Sequence, residues 1–267
     1  MAYLKPQQIA EKTIEAGVNK TRLPMPVLWI LGFLGGAFIS FGFLLDIRVI
    51  GNLPAEWGSF ASLLGGAVFP VGLMLIVLAG GELITGNIMS VSMAFYAKKV
   101  SLKDLGLNWI LVILANFLGA LFVAYFFGHV VGLTEAGPFL DKTIAIAGAK
   151  LDESFGQTLV SAIGCNWLVC LAIWLSTGAE DVGGKILGIW FPIMAFVAIG
   201  FQHVVANMFL IPAAIFAGHF TWMDYFSNFV PTLIGNIIGG AVFVGMAYFT
   251  AYYKQKMDSS VPSRKAS

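Results

Sequence analysis

Charge is what this chain has least of. Only 11% of its residues are Asp, Glu, Lys or Arg, while 58% are hydrophobic. A soluble domain carries roughly 25% charged residues, so a water-soluble fold is excluded and a polytopic membrane protein is implied. The net charge of +1 is too small for the basic footprint that nucleic acid requires. Histidine is scarce (three) and cysteine scarcer (two). Cys165 and Cys170 lie five apart in one apolar run, a spacing wrong for a helix-internal disulfide or a zinc site, and they read as two small buried hydrophobes. No paired carboxylates, metal-ligand cluster or serine–histidine signature supports a membrane-embedded enzyme, and neither metal nor cofactor is expected.

What is there is apolar and long. The 267 residues suit one bundle of six spans, each taking roughly 20 residues plus a loop. We place them at about 25–45, 59–79 (continuing to 96), 108–127, 155–175, 186–216 and 226–253. Residues 1–24 form an N-terminal amphipathic segment whose helix covers 6–20 and lies at the surface. Residues 25–253 make the six-span membrane domain and 254–267 a polar tail. Twelve of the fifteen Lys and Arg residues fall on one set of loops and tails, and only Arg48, Lys142 and Lys150 on the other. By the positive-inside rule both termini are then cytoplasmic, in the cell's inner (plasma) membrane, which requires an even number of crossings.

The fifth span carries its polar groups in one place, Gly200-Phe-Gln-His-Val-Val-Ala-Asn-Met-Phe209. Polar side chains in hydrocarbon cost several kcal/mol unless they find partners or face water. Glycine before and proline after mark a helix interrupted at membrane depth, tolerated only where it is buried or lines a cavity. The second span holds a similar knot, Gly80-Gly-Glu-Leu-Ile-Thr-Gly-Asn87. At an offset of 120, Gly80 meets Gly200, Asn87 meets Asn207, Asn108 meets Asn228 and Asn116 meets Asn236. Glu82 meets Gln202, and the capping boxes Ser101/Asp104 and Thr221/Asp224 also coincide. Phe69-Pro70 and Phe191-Pro192 match with a slip of two. Three spans per copy is odd, so the copies (about 25–127 and 150–250) lie upside down to one another, with the two knots facing across a pore.

The candidate working residues follow. His203 is the histidine inside the membrane, and its ordinary pKa of about 6.5 lets it exchange a proton near neutral pH. Thr85 sits in the facing knot, where a hydroxyl and backbone N–H groups at a helix break can hold an anion. Glu82 either joins it there or satisfies the freed backbone amides, and Asn87 and Asn207 pin the breaks. Lys150, before the fourth span, is either a solvated rim charge or an attractor of anions to an outer vestibule. Asn166 either donates to a solute or bonds a neighbouring helix. Phe69, Leu73, Leu83, Val169 and Phe196 are candidates for an apolar wall.

Three motifs in order, Gly81-Glu-Leu-Ile-Thr-Gly-Asn87, Lys150 followed by Gly164-Cys-Asn-Trp-Leu-Val-Cys-Leu-Ala-Ile-Trp174, and 200–209, resemble the formate/nitrite transporter family over nearly the whole chain. The resemblance implies an all-α, aquaporin-like fold, a homopentamer with one pore per protomer, and passage of small monovalent anions or their conjugate acids, formate first, with nitrite, hydrosulfide and lactate as alternatives. It implies that His203 is the central pore histidine and Thr85 its facing threonine. Lys150 and Asn166 correspond to the anion-attracting pair, and the five apolar residues to the constrictions. Gln202 departs from the pattern: it stands where many members have glutamate, which removes a proton donor beside His203. A pore for neutral solutes fits the inverted repeat too, but its twin Asn-Pro-Ala breaks are absent, the sites reading Gly86-Asn-Ile and Ala206-Asn-Met.

Overall fold

A computed structural model describes residues 3–255, in which ten helices fall into two sets of five, with one short 3-10 turn at Ala55–Trp57. The first five are α1 (Pro6–Thr21), α2 (Met25–Ile50), α3 (Ser59–Gly80), α4 (Ile84–Tyr96) and α5 (Leu102–Val130). The second five are α6 (Pro138–Leu151), α7 (Phe155–Gly178), α8 (Val182–Ile199), α9 (Val204–Phe216) and α10 (Trp222–Tyr252). Six of them, α2, α3, α5, α7, α8 and α10, are long and apolar enough to cross a bilayer. The C-terminal tail anticipated from 254 lies, beyond residue 255, outside the described residues.

The second copy is inverted, so corresponding helices run in opposite senses. Each copy contains a full span (α2 or α7), a broken span (α3–α4 or α8–α9) and a closing span (α5 or α10) that packs on the first. The two half-helices match in length, at 13 residues. Each is preceded by a glycine in the left-handed region, Gly80 at φ 103° and Gly200 at φ 90°, a conformation a side chain strongly disfavours.

Two features differ from the sequence-based expectation. Residues 138–151, anticipated as a loop, form α6, a surface helix that packs on α9 as α1 packs on α4. The repeat therefore includes its own amphipathic helix, and it begins well before residue 25. Phe69 and Phe191, paired by the sequence match, also do not share an environment: Phe69 is buried, whereas Phe191 is 59% exposed on the outer surface of the bundle. The residue that meets Phe69 is Phe196, edge to face at 5.7 Å between ring centroids.

Glycine allows the close packing of spans. A Cβ on Gly36 of α2 would stand 1.9 Å from the carbonyl oxygen of Asn116 on α5, so α2 and α5 touch backbone to backbone, as small residues permit in membranes. Side-chain caps start α5, α7, α8 and α10. Ser101 and Thr221 accept from the N–H groups of Asp104 and Asp224, as anticipated, and Ser154 does the same for Gln157.

Candidate pore and its two helix breaks

Each break exposes backbone groups that hydrocarbon cannot satisfy, and each is closed by one asparagine. Asn116 accepts from the N–H of Ile84 at 2.9 Å and donates to the carbonyls of Gly32 (2.7 Å) and Glu82 (2.8 Å). Asn236 does the same for Val204 (2.9 Å), Ala162 (2.8 Å) and Gln202 (3.1 Å). The sequence leaves Glu82 open between the site and the freed amides; in the structure those amides go to Asn116 and Asn236 instead. Asn87 instead donates to Glu82 (2.7 Å) and Asn108 (3.1 Å), and Asn207 to Gln202 (2.7 Å) and Asn228 (2.8 Å). An identity repeated at an offset of 120 was the signal, and its role became legible only with the helix break in place.

The halves part company where the breaks face the centre. Leu83 caps α4, and the matching position before α9 is His203. His203 is 2% exposed, and its Nδ1 accepts from the N–H of Ala206 at 3.2 Å. That nitrogen therefore presents a lone pair, and the remaining ring hydrogen sits on Nε2. Nε2 lies 3.1 Å from the hydroxyl of Thr85, so one side chain from each break meets the other.

Around this contact, Phe69, Leu73, Leu83, Val169, Phe196 and His203 close on a void of about 10 Å³, with Ile39 and Ile193 completing the ring. Sequence reading missed those two isoleucines, which carry no polar signal. Such a void is about the size that admits one water. A cavity of about 280 Å³ opens on one side, walled in part by Lys150, His203 and Asn207. On the other a cavity of about 320 Å³ holds Lys20, Leu83 and Asn87.

The two lysines are held differently. Lys20 pairs with Glu82 at 2.7 Å. Lys150, at the end of α6, is half-buried and donates to the carbonyls of Gly200 and Phe201, the latter at 2.8 Å. Burial pushes its ammonium below the ordinary lysine range, with Glu153 and Asp46 among the groups opposing that shift. Gln202 and Asn166 stand behind the wall. Gln202 donates to the Lys150 carbonyl at 3.0 Å. Asn166 donates to the carbonyls of Asn236 (2.6 Å) and Thr85 (3.3 Å), so its amide hydrogens serve neighbouring segments.

A family described as "Formate/nitrite transporter" matches residues 7–250. The chain belongs to the formate/nitrite transporter family. Its members are transporters and channels, so this is a transport protein and not an enzyme. The "Formate channel BtFdhC" of Bacillus thuringiensis is 68% identical over 255 residues, covering 96% of this chain and 98% of that one. Among solved structures, an "FNT family ion channel" superposes with a TM-score of 0.86 at 28% identity, covering 91% of this chain and 98% of that one. A "Pentameric formate channel with formate bound" gives 0.72 at 29%, covering 85% and 97%. A multi-pass membrane protein of six spans in two inverted repeats is thus the fold shared by this chain and its formate/nitrite transporter relatives.

Proposed function

We propose that this chain forms a pore for small monovalent anions that cross as, or together with, their conjugate acids, with formate the principal substrate. The observation that carries the reading is the contact of Thr85 with His203 beside an apolar void, between two cavities that each carry a lysine and an asparagine. An unpaired charge in such a throat costs many kcal/mol, whereas a neutral acid costs far less. Lys150 gathers the anion into its vestibule by focusing the field there. Phe69 and Phe196 bound the throat on that side, with Leu73, Leu83 and Val169 beyond them. The likeness to a formate channel at 68% identity favours formate over a larger acid such as lactate. Nitrite and hydrosulfide are small enough to share the route.

His203 acts as a neutral hydrogen-bond donor. Charging it would turn Nδ1 from acceptor to donor and sacrifice the cap on Ala206, so the throat is served by the Nε2 hydrogen and the Thr85 hydroxyl. Gln202 and Asn166 hold this geometry from behind, and Asn207 holds it from the cavity wall. The pentameric formate channel among its structural relatives supports a homopentamer with one pore per protomer, and the lysine and arginine bias supports cytoplasmic termini in the plasma membrane.

The test is formate uptake into proteoliposomes across a pH series. His203→Asn keeps an acceptor for Ala206 and an N–H donor without a titrating group. It is expected to retain uptake within about tenfold, with the wild-type rise at acid pH, whereas His203→Leu loses more than about tenfold at every pH, since one good hydrogen bond to a charged group accounts for about that much. An asparagine variant as inactive as the leucine variant would overturn the neutral-donor role.

A further inference from the structure

We propose that Asp46 is a proton-exchange group of the vestibule that holds Lys150, passing a proton to the anion before it enters the throat. The inference rests on the transport reading above. Asp46 lies in the last turns of α2, is 4% exposed, and lines the same cavity as Lys150, His203 and Asn207. Its Oδ1 is buried and accepts from no donor among the described residues. A buried carboxyl oxygen in that condition carries a proton or meets a donor from the cavity. Space is kept for it: a Cβ on Gly65 of α3 would stand 2.1 Å from that oxygen.

The charges around it leave the carboxyl available. From α6 come Lys142 and Lys150, which act on it electrostatically without an ion pair. The hydrogens of Lys150 point to the carbonyls of Gly200 and Phe201. From the start of α9 comes His203, turned towards Thr85 and Ala206. Helix α3 contributes no ionisable side chain. Arg48, on α2 itself, donates to the Leu133 carbonyl and lies over the ring of Phe139. His129, from the end of α5, pairs with Glu135. In the first repeat the vestibule lysine has a carboxylate partner, Glu82. The matching residue of the second repeat, Gln202, cannot carry an acidic proton. Asp46 supplies a carboxyl to that side from a different helix.

The step balances without a redox partner. The O–H bond of the Asp46 carboxyl breaks as an O–H bond forms on a formate oxygen. Formic acid moves on as a neutral molecule, and the Asp46 carboxylate takes its next proton from vestibule water. Bulk water offers little formic acid at neutral pH and much more in acid, so the group matters most where the free acid is scarce.

Formate uptake by the reconstituted full-length protein across a pH series tests this. Asp46→Asn is expected to lower uptake by about tenfold at neutral pH, less than the 10²–10⁴ of a committed general acid because water also supplies protons, and the deficit should shrink as pH falls. Asp46→Glu, which keeps the carboxyl, should keep the wild-type slope. Gly65→Ala, which displaces the carboxyl without changing it, should reproduce the steeper slope and decides the matter where Asp46→Asn does not assemble. A wild-type slope in the variants that lose or displace the carboxyl, or an equal loss at every pH, overturns the inference. Absence of formate uptake by the wild type would instead overturn the transport reading beneath it.

Discussion

The first helix break and the second are built alike and do different things. Both are closed by an asparagine 32 residues on from the amide it holds, Ile84 to Asn116 and Val204 to Asn236. Both carry a second asparagine bonded to residue 82 or 202. Yet the first break presents Leu83 to the centre and the second His203, while the hydroxyl that meets the histidine belongs to the first break, at Thr85. At position 36 the helices touch directly; at 166, its counterpart in the span, an asparagine amide donates to the Asn236 carbonyl. A duplicated scaffold can thus hold an unduplicated site: the twofold arrangement fixes where the backbone opens, and its exceptions decide what the opening does.

The strongest way to break that comparison is through the shared tether. Asn236→Ala leaves the Val204 amide and the Gln202 carbonyl without partners and removes a second bond from the helical carbonyl of Ala162, and should cost about 2–5 kcal/mol of stability, since each buried unpaired group costs roughly 1–3. Asn116→Ala should cost the same within about 1 kcal/mol, read by chemical unfolding in detergent; sensitivity on one side only would mean the breaks are not mechanically equivalent. The vestibules give a smaller effect. Lys150→Ala should raise the KM for formate by about fivefold at low salt and less at high salt, because the attraction is screened. Lys20→Ala, at the site already neutralised by Glu82, should change it by less than about twofold. The smallest effect lies where the half-helices end. Lys98 occupies a left-handed position at φ 58°, and its counterpart is Gly218 at φ 85°. Lys98→Gly should therefore stabilise the protein by about 1 kcal/mol in the same unfolding assay.

Much of this was legible in the sequence, for physical reasons. Hydropathy reveals spans because every backbone group in lipid must bond internally. Polar residues in apolar runs reveal sites because their burial is costly, which is why His203, Thr85 and Lys150 stood out. Ile39 and Ile193 did not, since an apolar residue facing a void looks the same in sequence as one facing a neighbour. Asp46 was passed over at the end of a span, where a carboxylate usually meets water. Helix α6 was missed because its moderate hydropathy, interrupted by Asp141, Lys142 and Lys150, reads as a loop unless it is aligned with α1. The roles of Asn166 and Gln202 depended on which way each amide turns, and no spacing encodes that.

The central claim is that Thr85 and His203 act as one unit across the two breaks. The most direct measurement is a double-mutant cycle on formate uptake with Thr85→Val and His203→Leu, the latter giving both breaks the same residue. If the pair is a unit, each single change lowers uptake by about tenfold or more and the double variant is no worse than His203→Leu alone. Losses that multiply in the double variant would contradict the account.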